Sequence, residues 1–271
     1  EGRGEGEALL PLEAQVARRF SGQSRAPMFL ACGAEESFHW LVEELVGPSL
    51  AGLRKRGLFS ASSGLRLLAQ GVDALQEFHT ATGFVHRDLK PGNLAMGLPG
   101  SGRERTLILL DYGLSRRLLR PDGRVRKARN NVAFRGSLRS ASAPAHRQLE
   151  LGRGDDLWSL LYVFLDLMCP QNLAWVGEQG MGHVGRLKLH ASPSHLLRGL
   201  PVQLKQVPKS LASLSYASEP DYLGLISAVQ ASLRALPAPP RPQDPFDWDK
   251  GPNFFSSLRR SISHSVSPNA H

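Results

Sequence analysis

Apolar residues fall at helical spacing through residues 61–80, where Leu65, Leu68, Val72, Leu75 and Phe78 share one stripe. That spacing predicts an amphipathic helix. An earlier stripe, Leu9, Leu12, Val16 and Phe20 in ALLPLEAQVARRF, predicts another helix with Glu13 on it and Gly22 as its stop. Between the two, MFLACG and SFHWLVEEL are apolar and partly alternating, which predicts two strands joined by a turn at Ala34-Glu35-Glu36. GPSLAGLRKRG then reads as a turn into a short helix. From Gly83 to Gly113 the pattern shortens to the strands FVH, NLAMG and TLILL, with the Gly-rich polar loop LPGSGRER between the last two. Residues 116–131 read as a basic loop, followed by GSLRSASAPAH. The longest apolar run, LWSLLYVFLDLMC, is too short to cross a bilayer and contains Asp166, so it predicts a buried helix. The chain to about residue 236 is weakly helical and interrupted by Pro201, Pro208 and Pro220. A strand-bearing first part and a mostly helical second part predict an α+β protein with two lobes.

Composition narrows the partners. The 271 residues are 41% hydrophobic and carry a formal charge of +9, which favours acidic partners such as phosphate-bearing ligands and acidic proteins. The basic residues are scattered and not interleaved with aromatics, which argues against nucleic acid. Cys32 and Cys169 lie far apart with no CxxC spacing. This argues against a disulfide framework or zinc site and for a reducing compartment, cytoplasm or nucleus. No signal peptide opens the chain, and a monomer without membrane attachment is expected. Gly and charge fill residues 1–7, and SSLRRSISHSVSPNAH near the end is Ser-rich and basic. Both ends are expected to be flexible, with Ser261 and Ser263 behind Arg259-Arg260 as a weak modification site.

The chemistry concentrates in FVHRDLKPGN and the later DYG. Phosphoryl transfer needs charge neutralisation and positioning more than covalent help. Asp88 can accept the proton of an acceptor hydroxyl and orient it. Lys90 can offset charge on the transferred group. Asn93 offers an amide oxygen to magnesium, and Asp111, after an apolar strand, offers a hard carboxylate. Gly113 gives the backbone freedom to aim it.

His86-Arg87-Asp88-Leu89-Lys90-Pro91-Gly92-Asn93 followed by Asp111-Tyr112-Gly113 resembles the H-R-D-L-x-x-x-N and D-F-G motifs of eukaryotic protein kinases. Tyr112 stands where Phe is usual, and Lys90 is the Ser/Thr-kinase form. HRDLKPGNLAMG, NVAFRGSLRSASAPAH, GRGDDLWSLLYVFLDL, PDY and FDWDK resemble the casein kinase 1 superfamily, and within it the tau-tubulin kinases. ELVGPSLAGL is similar to the hinge of casein kinase 1 itself. The resemblance covers about residues 8–250. It implies a protein-kinase-like two-lobed fold, with a truncated N-lobe at 8–46 and a mainly helical C-lobe at 47–250. It also implies ATP and Mg²⁺ as cofactors and protein substrates, acidic or pre-phosphorylated. By the same resemblance Asp88, Lys90 and Asn93 are catalytic, Asn93 and Asp111 hold metal, and Glu44, Leu45 and Val46 form the nucleotide-binding hinge. Glu13, His86, Arg87, Gly113 and Asp156 support the site. Arg139 matches an anion site for phosphorylated substrates, and Glu43 takes the gatekeeper position, where the family has an apolar residue.

The family's Gly-rich loop and ATP-contacting Lys precede the helix of Glu13. Here twelve residues precede Glu13 and none is Lys. The chain is therefore expected to be N-terminally incomplete, and by itself a weak or inactive catalyst that binds nucleotide poorly. Two functions follow: a Ser/Thr protein kinase, or a pseudokinase that serves as a scaffold.

Overall fold

The computed structural model describes residues 9–250. The expected flexible ends at 1–7 and 251–271, with Ser261 and Ser263, lie outside the described residues.

The small lobe begins with α1 (Leu9–Phe20), then β1 (Phe29–Ala34) and β2 (His39–Glu43), an antiparallel pair with Cys32 opposite Leu41 and Phe29 opposite Glu43. Both strands lie where alternation places them, within two residues. The apolar stripe of α1 faces inward, with Val16 and Phe20 fully buried. Leu30, Val42 and Leu45 remain exposed, so the sheet is packed on one face only.

After the hinge come α2 (Leu50–Arg54) and α3 (Ala61–Thr82). Ser60 starts α3, its side chain accepting the Ser63 N–H, and Gly83 ends it at φ +70°, a left-handed cap that suits glycine. The predicted stripe is the buried one: Leu65, Leu68, Val72, Leu75 and Phe78 are all within 2% of full burial. α3 packs against α5 (Arg153–Met168), the central helix of the large lobe. This helix starts four residues before the apolar run, because Asp155 accepts the Gly152 N–H at 2.8 Å and caps the first turn.

Two short strand pairings shape the loops between these helices. β3 (Phe84–Val85) pairs with β6 (Arg116–Arg117), and β4 (Leu94–Met96) pairs with β5 (Leu107–Leu109), both antiparallel. β6 corrects the expected loop from residue 116, since two arginines carry no apolar signal and pair only through their backbone. The large lobe is completed by α4 (Ala143–His146), α6 (Met181–Leu189), α7 (Pro193–Leu196), α8 (Gln206–Ala212) and α9 (Tyr222–Arg234). FDWDK returns to α3, where Asp247 accepts from Ser60 N and Oγ at 2.8 Å each. Among the described residues no helix is long and apolar enough to cross a membrane.

Candidate active site

Asp156, on α5 and 1% exposed, anchors the loop that follows β3. It accepts the backbone N–H groups of His86 (2.7 Å) and Arg87 (2.8 Å) and the Nε2–H of His79 (2.9 Å). Burial pushes its pKa up, but the His79 hydrogen bond and the surrounding donors outweigh that and hold it below the ordinary value. His79, unassigned by sequence, is fixed in turn by the Tyr222 hydroxyl at 2.7 Å. These bonds hold Arg87 at φ +69°, a conformation costly for a non-glycine residue unless its surroundings impose it.

His86 ties this loop to the strand leading to Asp111. Its Nε2–H donates to Leu110 O at 3.0 Å, and its Nδ1 accepts from Asp88 N at 3.3 Å. Full burial lowers its pKa, which keeps the ring neutral and able to play both parts. Leu110 N in turn donates to Asn93 O at 2.9 Å. The two sequence motifs, 18 residues apart, thus become one rigid surface.

On that surface Asp88 is 5% exposed and both its oxygens are engaged. Lys90 Nζ lies 2.6 Å from Oδ2, and Ser137 Oγ donates to Oδ1 at 2.8 Å. Asn93 Nδ2 donates to Asp88 O at 2.9 Å. Lys90 also reaches Asp111 at 3.6 Å. Burial opposes its charge, but the two carboxylates prevail and its pKa lies above the ordinary value. Ser137 was not legible in the motifs, since it contacts Asp88 from 49 residues away. Gly136 beside it is required: a Cβ there would sit 2.5 Å from Arg87 O, at φ +98°.

Asp111 is half-exposed and held at φ +65°. With Asn93 Nδ2 committed to Asp88, the Asn93 Oδ1 and the Asp111 carboxylate are the hard oxygens left at the surface. This donor set suits Mg²⁺, which takes one or two protein oxygens and completes its shell with phosphates and water. Tyr112 packs inward, stacked on Phe78 at 5.6 Å and edge-on to Phe20 at 5.8 Å. Its hydroxyl, the departure from Phe, donates to Leu109 O at 2.6 Å.

Glu13 lies beside this motif and accepts Tyr112 N–H at 3.2 Å through Oε1. Burial, and then the charge of Asp111, raises its pKa. Glu43 turns toward the same place: burial and then Glu13 push it up to about 7, and its Oε1 is buried without a partner. Among the described residues no lysine or arginine pairs with either carboxylate.

In the hinge, Glu44 is engaged through its side chain and N–H. Its N–H serves Met28 O at 2.8 Å, and its carboxylate accepts Met28 N and Arg103 at 3.0 and 2.9 Å. The Glu44 side chain is thereby a strut between lobes, which leaves only its carbonyl to meet a base. Leu45 is 58% exposed, and the described hydrogen bonds leave the Val46 N–H and C=O unengaged. Arg139 is not brought to Asp88; it pairs with Asp166 of α5 at 2.5 Å. A separate arginine-lined cavity of about 300 Å³, with Arg87, Arg116, Arg129 and Arg135 in its wall, opens beside Gly113. Glu150 pairs there with Arg129 (2.6 Å) and Arg116 (3.1 Å).

No protein-family model matches the chain. A Dictyostelium discoideum protein named as a serine/threonine-protein kinase is 36% identical over 92% of this chain, which spans 50% of that protein's length. A Caenorhabditis elegans protein named likewise is 31% identical over 89% of this chain and 70% of its own. An inactive tau-tubulin kinase of Caenorhabditis elegans is 34% identical over 70% of this chain and 69% of its own. The chain belongs to the serine/threonine protein kinase family, among relatives of the tau-tubulin kinase and casein kinase 1 kinds.

Proposed function

We propose that the protein transfers the γ-phosphoryl group of ATP to serine or threonine hydroxyls of protein substrates. The observation that carries this is Asp88, held by Ser137 on one oxygen and Lys90 on the other, on the surface that also presents Asn93 and Asp111. Asp88 would accept the hydroxyl proton and aim the oxygen, while Lys90 offsets charge that develops on the phosphoryl group. Asn93 and Asp111 would hold Mg²⁺, which supplies further charge neutralisation. Val46 and the Glu44 carbonyl would meet the adenine. With the full-length protein and casein or tubulin as acceptor, Asp88→Asn should cut transfer by about 10²–10⁴-fold while leaving the circular dichroism spectrum unchanged. Undiminished transfer by that variant sinks the assignment.

Acidic or pre-phosphorylated substrates fit the segment RRLLRPDGRVRKARNNVAFR at 116–135, which has seven Arg and one Lys against a lone Asp. Attraction of this kind is screened by salt. The ratio of KM for a neutral peptide to KM for an acidic one should therefore shrink as ionic strength rises. The free thiols Cys32 and Cys169 fit a reducing compartment, cytoplasm or nucleus, which cell fractionation would test.

The second reading, a scaffold without turnover, is favoured by Glu13 and Glu43 facing each other without a cation among the described residues, and by the relative named inactive. Calorimetry with Mg-ATP separates the readings: micromolar affinity favours the kinase, and no binding favours the scaffold.

A further inference from the structure

We propose that Lys188 is a positioning residue for phosphoryl transfer, fixing the segment 137–142 that holds Asp88 through Ser137; this rests on the kinase reading above. Lys188 lies on α6 and is 4% exposed. No carboxylate pairs with it among the described residues. A buried ammonium without a counter-charge costs several kcal/mol, so its surroundings must compensate. They do so in part, with neutral acceptors from one stretch of chain, and burial still lowers the Lys188 pKa to about 7. Lys188 Nζ donates to Leu138 O at 2.8 Å and Ala141 O at 2.7 Å, and lies 3.2 Å from His146 Nε2. The rings of Trp175 and Tyr162 face it at 5.2 and 5.3 Å, within cation–π range.

The acceptors are themselves held in place. His146 Nδ1–H donates to Met181 O at 3.1 Å, which fixes the tautomer that leaves Nε2 as acceptor. Burial, and then the Lys188 charge, lowers the His146 pKa to about 4, so the ring stays neutral near pH 7. Gly185 lets the helices approach, since a Cβ there would lie 2.6 Å from His146 Cβ. Trp175 Nε1 donates to Arg139 O at 2.9 Å, and Ser140 N and Ala141 N close a turn on Ser137 O at 3.1 and 2.8 Å.

The other side of this segment reaches the catalytic loop. Ser137 Oγ donates to Asp88 Oδ1, and Ser140 Oγ donates to Leu89 O. Segment 137–142 is thus a bridge with carbonyls fastened to α6 and Trp175, and hydroxyls fastened to Asp88 and Leu89. Releasing the Lys188 end frees Ser137 to drift from Asp88, and a misplacement of about 1 Å at such a group costs roughly 10²-fold in rate at most.

The test uses the full-length protein with Lys188→Met, Lys188→Arg, Ser137→Ala and the Lys188→Met/Ser137→Ala double variant. Lys188→Met should raise amide hydrogen exchange across 137–142 about tenfold and also raise it in 86–93. It should lower kcat about tenfold with KM for ATP unchanged, and Lys188→Arg, which keeps the donors, should recover part of kcat. Because both residues act through one contact, the double variant should be no slower than Ser137→Ala within about twofold. Effects that multiply, or exchange in 86–93 that stays at the wild-type level in both Lys188→Met and Ser137→Ala, overturn the proposal. The exchange arm needs no turnover: a wild-type protein that transfers nothing refutes the kinase reading, while the exchange pattern still decides whether Lys188 governs the catalytic loop.

Discussion

Asp88 and Glu43 are the two ends of one row of charged groups that runs through Asp111 and Glu13, yet they live in opposite circumstances. Asp88 has a donor on each oxygen, Ser137 and Lys90. Glu43 has a buried oxygen with no partner and a second carboxylate as neighbour. The lower surface satisfies its polar groups from within: Asp156 holds the loop, His86 holds the strand, Asn93 holds Asp88. The upper face collects negative charge that nothing described there neutralises. Pre-organisation and electrostatic tension therefore sit on opposite sides of the same cleft. The lower surface holds its geometry through its own hydrogen bonds, while the upper one keeps two carboxylates, Glu13 and Glu43, at raised pKa.

The sharpest way to break that contrast is to cut the anchor of the lower surface. Asp156→Ala strands two backbone N–H groups and His79 in a dry site. Loss of one partner from a buried charged network costs about 3–5 kcal/mol, so urea denaturation should show a drop of that size. A loss below about 1 kcal/mol, the level of an exposed ion pair, would mean the loop holds itself without Asp156.

Glu43 should behave in the opposite sense. Its folded pKa of about 7 lies above its ordinary 4.5, so ionisation favours the unfolded chain. Stability is then greatest below pH 4.5 for this group and falls as pH rises to about 7. Glu43→Met should remove that slope. At pH 8 it should stabilise the protein by about 1–2 kcal/mol, the full linkage being reduced by solvent screening at a half-buried site. Parallel stability curves for wild type and variant between pH 5 and 8 would show that Glu43 is already neutralised.

What was legible from sequence divides along the same line. α3 could be read because five apolar side chains repeat at its period, and the catalytic loop because its chemistry is packed into FVHRDLKPGN. Glu13 was placed by its helix and Asp111 by the strand before it. The residues that complete the site were not legible. Ser137, His79 and Lys188 act through hydrogen bonds to groups 42 to 143 residues away, and no periodicity encodes such a partner. Glu44 shows the same limit: the partner of its side chain, Arg103, comes 59 residues later in a loop.

Tyr112 offers a smaller test of how complete the lower surface is. Its buried hydroxyl has one partner, Leu109 O. Tyr112→Phe removes a single neutral hydrogen bond, worth about 0.5–1.5 kcal/mol, and leaves the stacking on Phe78. Thermal unfolding should register that loss, with transfer to casein changed less than about twofold. A larger fall in transfer would mean the hydroxyl, and not the ring alone, sets the backbone that carries Asp111.

The smallest expected effect belongs to Arg139, and it bears on whether the acidic-substrate preference has one source or two. Arg139 is half-exposed and already paired with Asp166, whereas the run at 116–135 keeps a large excess of positive charge. An exposed ion pair contributes about 0–1 kcal/mol, so Arg139→Ala should shift stability by no more than that. If Asp166 occupies Arg139 as the structure shows, the same variant should leave KM for a phosphorylated peptide within about twofold of wild type. Asp166→Asn then supplies the informative contrast, because it frees the guanidinium without removing it. A phosphopeptide KM that falls in Asp166→Asn, and returns to wild type in the Arg139→Ala/Asp166→Asn double variant, would make Arg139 a latent anion site held shut by its own helix. An unchanged KM in all three would assign substrate charge recognition to residues 116–135 alone.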